Sequence, residues 1–184
     1  MHSGDEITNP RTGQRMLFRQ TAGDTRGALL QIETINPPGP AEPEHVHPHQ
    51  ESNATVLAGA LHFSVRGRVR VVRAGETIVI PPNTPHYFWN EGPEEARAIQ
   101  ELRPALHTED FFATYFALAR EGKLNERGMP PSLLHIAVLT AEYWDVIRVT
   151  KPPVPLQRLI VALLAPLGRR RGYRSRPVAE GGTA

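Results

Sequence analysis

Apolar and polar residues alternate in short runs as far as residue 104. Leu61, Phe63 and Val65 fall on one face of an extended run, and His62, Ser64 and Arg66 on the other. That period of two is what a half-buried strand requires. The same texture predicts strands at 15–20, 28–35, 54–58, 61–66, 68–73, 76–80, 86–90 and 96–102. Turn signals separate them, notably Asn36-Pro37-Pro38-Gly39-Pro40, Arg66-Gly67-Arg68, Ala74-Gly75 and Asn90-Glu91-Gly92-Pro93. Many short strands at such spacing point to a sandwich or barrel.

From Thr108 the period lengthens. Thr108 is placed to cap a helix with Glu109 and Asp110 in its first turn, and Phe111, Phe112, Tyr115, Phe116, Leu118 and Ala119 make one broad apolar face. Gly122 ends it. Pro131 suits the first position of a second helix running to about Arg148, with Leu133, Leu134, Ala137, Val138, Ala141, Trp144 and Val146 to bury. A third helix is expected from near Pro155 to Pro166-Leu167-Gly168. Strands first and helices after give an α+β order around one core, mainly β. The divisions are an N-terminal arm with a strand (1–27), a β domain (28–104), a helical extension (105–168) and a basic tail (169–184) expected to be disordered.

The length of 184 residues, 40% hydrophobic and 22% charged, suits one soluble domain with an appendage. The absence of cysteine excludes disulfides, thiolate metal sites and cysteine nucleophiles. No export signal is visible at Met1-His2-Ser3-Gly4, and no run reaches the roughly 18 apolar residues of a spanning helix, so a cytoplasmic location is expected. The net charge of +2 is uneven: from Gly168 onward five arginines face one glutamate, a net of +4, and the rest carries −2. Basicity confined to the tail argues against nucleic-acid binding. The apolar run 159–167 followed by Arg169-Arg170-Arg171 reads as a buried helix with a solvated tail, with a peripheral membrane contact through 156–171 as the alternative. No Walker loop, GxGxxG or GxSxG is present.

Candidate chemistry lies in His45-Val46-His47-Pro48-His49, followed by Glu51. On a continuous strand, positions 45, 47, 49 and 51 would share one side. Imidazoles with one carboxylate make a borderline-hard donor set suited to first-row divalent metals. His49 shares that face and either contacts a substrate or stays exposed.

Two segments extend this pattern. The first runs Gly39, five residues, His45-Val46-His47, three residues, Glu51, then Val56-Leu57-Ala58-Gly59; the second runs Gly75, five residues, Pro81, then Pro85-His86, three residues, Asn90. In this order they resemble the double motif of the cupin superfamily, over about residues 28–104. The chain is similar to small bacterial single-domain cupins of quercetin-dioxygenase-like type, some of which continue into a helical C-terminal extension. Two departures stand out. Gly59 falls one residue late after Glu51, and Asn83 replaces a glycine before His86; asparagine tolerates the left-handed turn such a position needs.

The resemblance implies a double-stranded β-helix (jelly-roll) barrel with one divalent transition metal at its mouth, held by His45, His47, Glu51 and His86. Four protein ligands would leave two positions open on Fe(II) or Mn(II), the favoured ions, or on Ni(II); Zn(II) could instead close the site tetrahedrally unless Glu51 detached, in which case Glu51 could serve as a general base. Alternation from His86 turns Phe88 inward, alternation along 96–102 turns Ala96, Ala98, Gln100 and Leu102 inward, the alanines leaving space, and Phe63 supplies another wall. The expected function is a metal-dependent, dioxygenase-like enzyme on a small aromatic or dicarbonyl-like molecule. Its alternatives are a non-redox isomerase, cyclase or decarboxylase, and a non-catalytic metal-anchored sensor. A homodimer through the helical extension is expected.

Overall fold

A computed structural model describes residues 1–41 and 43–175. Among these described residues eleven strands form two antiparallel sheets. β1 (Glu6–Thr8), β2 (Arg15–Gln20), β3 (Leu30–Asn36), β10 (Ala96–Arg103), β5 (Glu51–Ala58) and β8 (Thr77–Ile80) make the larger sheet, in the order β1-β2-β3-β10-β5-β8. The smaller sheet runs β11-β4-β9-β6-β7, from β11 (Arg148–Val149), β4 (His45–Val46), β9 (His86–Trp89), β6 (Ala60–Val65) and β7 (Arg68–Arg73). Because strands near in sequence alternate between the two sheets, the layers face each other as a jelly roll.

The alternation seen in the sequence becomes the barrel lining. Val56, Leu61, Phe63, Val72, Ile80, Ala96 and Ala98 are buried together between the sheets. The Arg66-Gly67 loop joins β6 to β7 with φ of +51° and +74°, left-handed at both corners as a two-residue hairpin of right-twisted strands demands. Asn83 has φ +55°, the left-handed turn that asparagine tolerates, and its N–H donates to His47 O at 2.7 Å. Gly59 has φ +72°, and a Cβ there would sit 3.2 Å from Ala96 Cα, so both conformation and space hold it to glycine. Asn90 Nδ2 donates to Asn36 O (2.8 Å) and Glu94 O (2.7 Å), tying one barrel end shut.

The helices depart from the sequence reading at their ends. α1 (Thr108–Arg120) takes His107 as its cap residue, and the Thr108 hydroxyl instead donates back to Ala105 O. Its other end is as expected: Gly122 (φ +66°) donates to Ala119 O and Lys123 to Leu118 O, the paired bonds of a glycine-terminated helix. α2 (Leu133–Glu142) stops well short of Arg148. The chain turns at 143–146 so that Arg148 and Val149 pair with Val46 and His45 at an otherwise open sheet edge. Leu133, expected to be buried, is 69% exposed. α3 (Val154–Arg170) continues past Gly168 and takes Arg169 and Arg170 out of the expected tail; residues 176–184 of that tail lie outside the described residues.

α2 and α3 pack through Ala137, Val138 and Ala165. α3 is not the buried helix expected, since Leu156, Leu159, Ile160, Leu163 and Leu167 stay exposed along it. No helix among the described residues is long and apolar enough to cross a membrane. α1 contributes Phe116 to a second core with Met16, Phe18, Leu30, Ile32 and Leu102, which fastens the extension to the barrel.

Candidate metal centre

β4 and β9 lie side by side with His45 opposite His86, and His47 follows where β4 ends. Their ring centroids are 4.5 Å (His45–His86), 5.2 Å (His45–His47) and 5.3 Å (His47–His86) apart. One nitrogen from each ring lies within 4.8 Å of the others.

The free nitrogens are fixed by what the other nitrogens do. His45 Nδ1 is 2.9 Å from Pro43 O, His47 Nδ1 is 2.8 Å from Val146 O, and His86 Nδ1 is 2.7 Å from Thr84 O. A carbonyl oxygen can only accept, so each Nδ1 carries the proton and each Nε2 keeps its lone pair. Burial pushes all three rings toward the neutral form, and for His45 and His47 neighbouring imidazoles push further. His45 is held well below its ordinary value, and His47 is pushed down to about 4. Three neutral imidazoles with oriented lone pairs, braced by backbone carbonyls, are the donor set a divalent first-row ion takes. The residues fit the ion.

Glu51 is not among them. It opens β5 in register with Arg103 on β10, and its charge acts on that guanidinium. Its neighbour Ser52, opposite the fully buried Leu102, lines the cavity instead. The single-face argument failed because β4 is only two residues long. Pro48 and His49 bend before β5 begins, and the bend resets the alternation. The late Gly59 carried that signal: six residues separate it from Ser52, seven from Glu51. His49 points into solvent, 63% exposed, with Asp145 at 3.4 Å.

The three histidines open into a cavity of about 200 Å³ between the sheets. Phe63 and Phe88, cross-strand partners with rings 5.6 Å apart, form one wall, and Gln100 with Ala98 lies on another. Sequence reasoning missed the roof. Phe111, Tyr115, Leu139, Tyr143 and Arg148 from the helical extension close over the barrel mouth. Gln50, the glutamine of the His-Pro-His-Gln run, ties roof to barrel: it is fully buried, with Nε2 2.8 Å from Pro104 O, 3.0 Å from Ala105 O and 2.8 Å from Thr108 Oγ1.

Comparison with known proteins agrees with this geometry. The family model described as "Cupin domain" matches residues 31–100, the segment that carries both sheets' central strands and all three histidines. Residues 31–100 form a cupin domain. It is 34% identical over 89 residues to protein SchB of Streptomyces halstedii, covering 48% of this chain and 63% of that one. Over 67 residues it is 39% identical to oxalate oxidase 1 of Hordeum vulgare, covering 32% and 33%. Among solved structures, an RmlC-like cupin from Shewanella frigidimarina aligns with a TM-score of 0.48 and 20% identity over 56% of this chain and 86% of that one. The chain spans less than two thirds of the length of these curated relatives, and its helical roof lies beyond the matched family segment.

Proposed function

We propose that this cupin is a mononuclear metal-dependent enzyme, dioxygenase-like in its chemistry, acting on a small organic molecule inside the roofed cavity. One observation carries the reading: three neutral imidazoles, each with Nδ1 tied to a carbonyl, converge at the wall of a mainly apolar cavity. Similarity over the barrel to a protein named oxalate oxidase supports redox chemistry on a small oxygen-bearing molecule.

His45, His47 and His86 would hold the ion. Fe(II) or Mn(II) is favoured because imidazole suits both and three protein ligands leave several positions open. A divalent ion so held polarises bound oxygens and lowers the pKa of the groups that carry them. The chain's own residues do the remainder. Phe63, Phe88 and Phe111 exclude water and provide flat apolar walls, while Ser52, Gln100 and Thr140 offer neutral hydrogen-bonding groups for orientation. Low dielectric around the site strengthens each of those polar contacts.

The test is dioxygen uptake by protein reconstituted with Fe(II) or Mn(II), against a panel of diketones, flavonoids and small carboxylic acids. Uptake that His47→Ala abolishes is expected. Turnover without dioxygen would instead assign a non-redox reaction such as decarboxylation or isomerisation. Tight binding without turnover under either metal would assign a sensor.

A further inference from the structure

α3 is held to the rest of the chain at both ends. Gln157, buried near its start, donates from Nε2 to Val149 O (3.0 Å) and Pro152 O (2.6 Å). Gly168, buried near its end, packs directly on Leu134 and Val138 of α2. With Ala165, these residues fix which face the helix turns inward. The opposite face is apolar. Leu156, Ile160, Leu163 and Leu167 recur every three or four residues, with Leu159 beside them, and each is 36–61% exposed. Pro155, Ala162 and Pro166, also exposed, widen the stripe on the Leu159 side. A helix of a globular protein ordinarily turns such a stripe to the core and its charges to water. In α3 the inward face is already packed, and the leucines lie outside it.

The charge around this stripe has one sign. From Lys151 to Arg174 the chain carries six basic residues and no acidic one. At about 3.6 residues per turn, Arg158 and Arg169 border one margin of the stripe, Arg171 borders the other, and Arg170 closes its C-terminal end. The Arg158 guanidinium lies 5.8 Å from the centre of the half-buried Trp144 ring. Arginine stems lie along apolar surface while their heads stay at a polar boundary, and tryptophan suits the same boundary.

We propose that the outer face of α3 is a docking surface for an anionic lipid bilayer, with the helix lying flat in the headgroup region. An exposed apolar stripe with cationic margins matches that environment: the leucines enter the acyl boundary while the guanidiniums meet lipid phosphates. The helix is not long and apolar enough to cross, so it rests on the surface. A second copy of this chain is the poorer match. Its identical stripe would bring the same uncompensated arginines, whereas paired helices set opposite charges against each other at the margins of their apolar seam. The surface is independent of the metal centre, so its failure would leave the proposed function standing.

The experiment is flotation of the full chain with vesicles of phosphatidylcholine alone, and of phosphatidylcholine with about one third phosphatidylglycerol. Light scattering gives the oligomeric state and thermal unfolding the fold of the same samples. Wild type is expected to bind the anionic vesicles at least about tenfold tighter than the neutral ones, and added salt to weaken that binding. Leu159→Glu/Leu163→Glu is expected to abolish binding in a chain that still unfolds cooperatively. Arg169→Gln/Arg170→Gln/Arg171→Gln keeps the leucines and is expected to weaken binding to anionic vesicles at least about tenfold. No binding to anionic vesicles, equal binding to both kinds, or undiminished binding in either folded variant would each overturn the proposal. A wild-type dimer that Leu159→Glu/Leu163→Glu splits would assign the face to a second copy, and would overturn it as well.

Discussion

His47 Nδ1 donates a 2.8 Å hydrogen bond to Val146 O, across 99 residues of sequence. One partner belongs to the barrel and the other to the turn that follows α2. The extension therefore orients an imidazole of the candidate metal centre from behind while its side chains roof the cavity in front.

Tyr143 anchors that turn. Val146 and Ile147 donate backbone N–H groups to its carbonyl, and its buried hydroxyl lies 2.9 Å from Thr114 Oγ1 and 2.8 Å from Ser175 O. Tyr143→Phe removes only the hydroxyl and is expected to lower stability by about 1–2 kcal/mol, in urea unfolding, with metal affinity retained. Tyr143→Ala also frees the turn. Loss of a ligand's supporting contact typically weakens metal binding about 10–100-fold, which is the loss expected in cobalt titration of that variant.

Glu51→Gln is expected to leave metal stoichiometry unchanged and affinity within about threefold, because the carboxylate sits on the outer face beside Arg103. Loss of the ion in that variant would show that Glu51 reaches the imidazoles after all.

The pH dependence follows from buried, neutral imidazoles. His47 titrates near 4 in the folded chain, against an ordinary value of 6.5, so the unfolded chain takes up protons first as pH falls. Its contribution is fully present above about pH 6.5 and is lost between there and about pH 4, on the order of 3 kcal/mol. His45 and His86 shift in the same direction. Urea midpoints of metal-stripped protein should therefore fall steadily below about pH 6.5, and bound metal should be released over the same window. A flat profile would contradict the neutral assignment.

Gly168 sits in α3, where exchanging glycine for alanine ordinarily stabilises by up to about 1 kcal/mol. Here a Cβ would meet Leu134 O and Val138 Cγ2, each at 2.7 Å. The backbone contact cannot be relieved by a rotamer change, so α2 and α3 must separate. Gly168→Ala is expected to lower the melting temperature, the reverse of the propensity effect, by about 1–3 kcal/mol of stability.

The strands were legible because most are half-buried, and half-burial writes a period of two into Leu61, Phe63 and Val65. His45, His47 and His86 were legible as a spaced motif. Glu51 was not, because a bend at Pro48-His49 shifts the alternation by one, and strand periodicity gives no warning of a bend. Only the late Gly59 recorded it. β4 and β11, two residues each, are too short to carry a period, so Arg148 read as the end of a helix. The roof was hidden for a related reason. Phe111 and Tyr115 look alike in sequence whether they fill a core or line a cavity, and the distance between α1 and the barrel decides which.

The most direct measurement is the count of divalent ions bound per chain, by elemental analysis after cobalt loading, in wild type, His47→Ala, His86→Ala and Glu51→Gln. The account predicts one ion per chain in wild type and Glu51→Gln, and close to none in either histidine variant. A full ion in His86→Ala, or none in a folded wild-type chain, would contradict it.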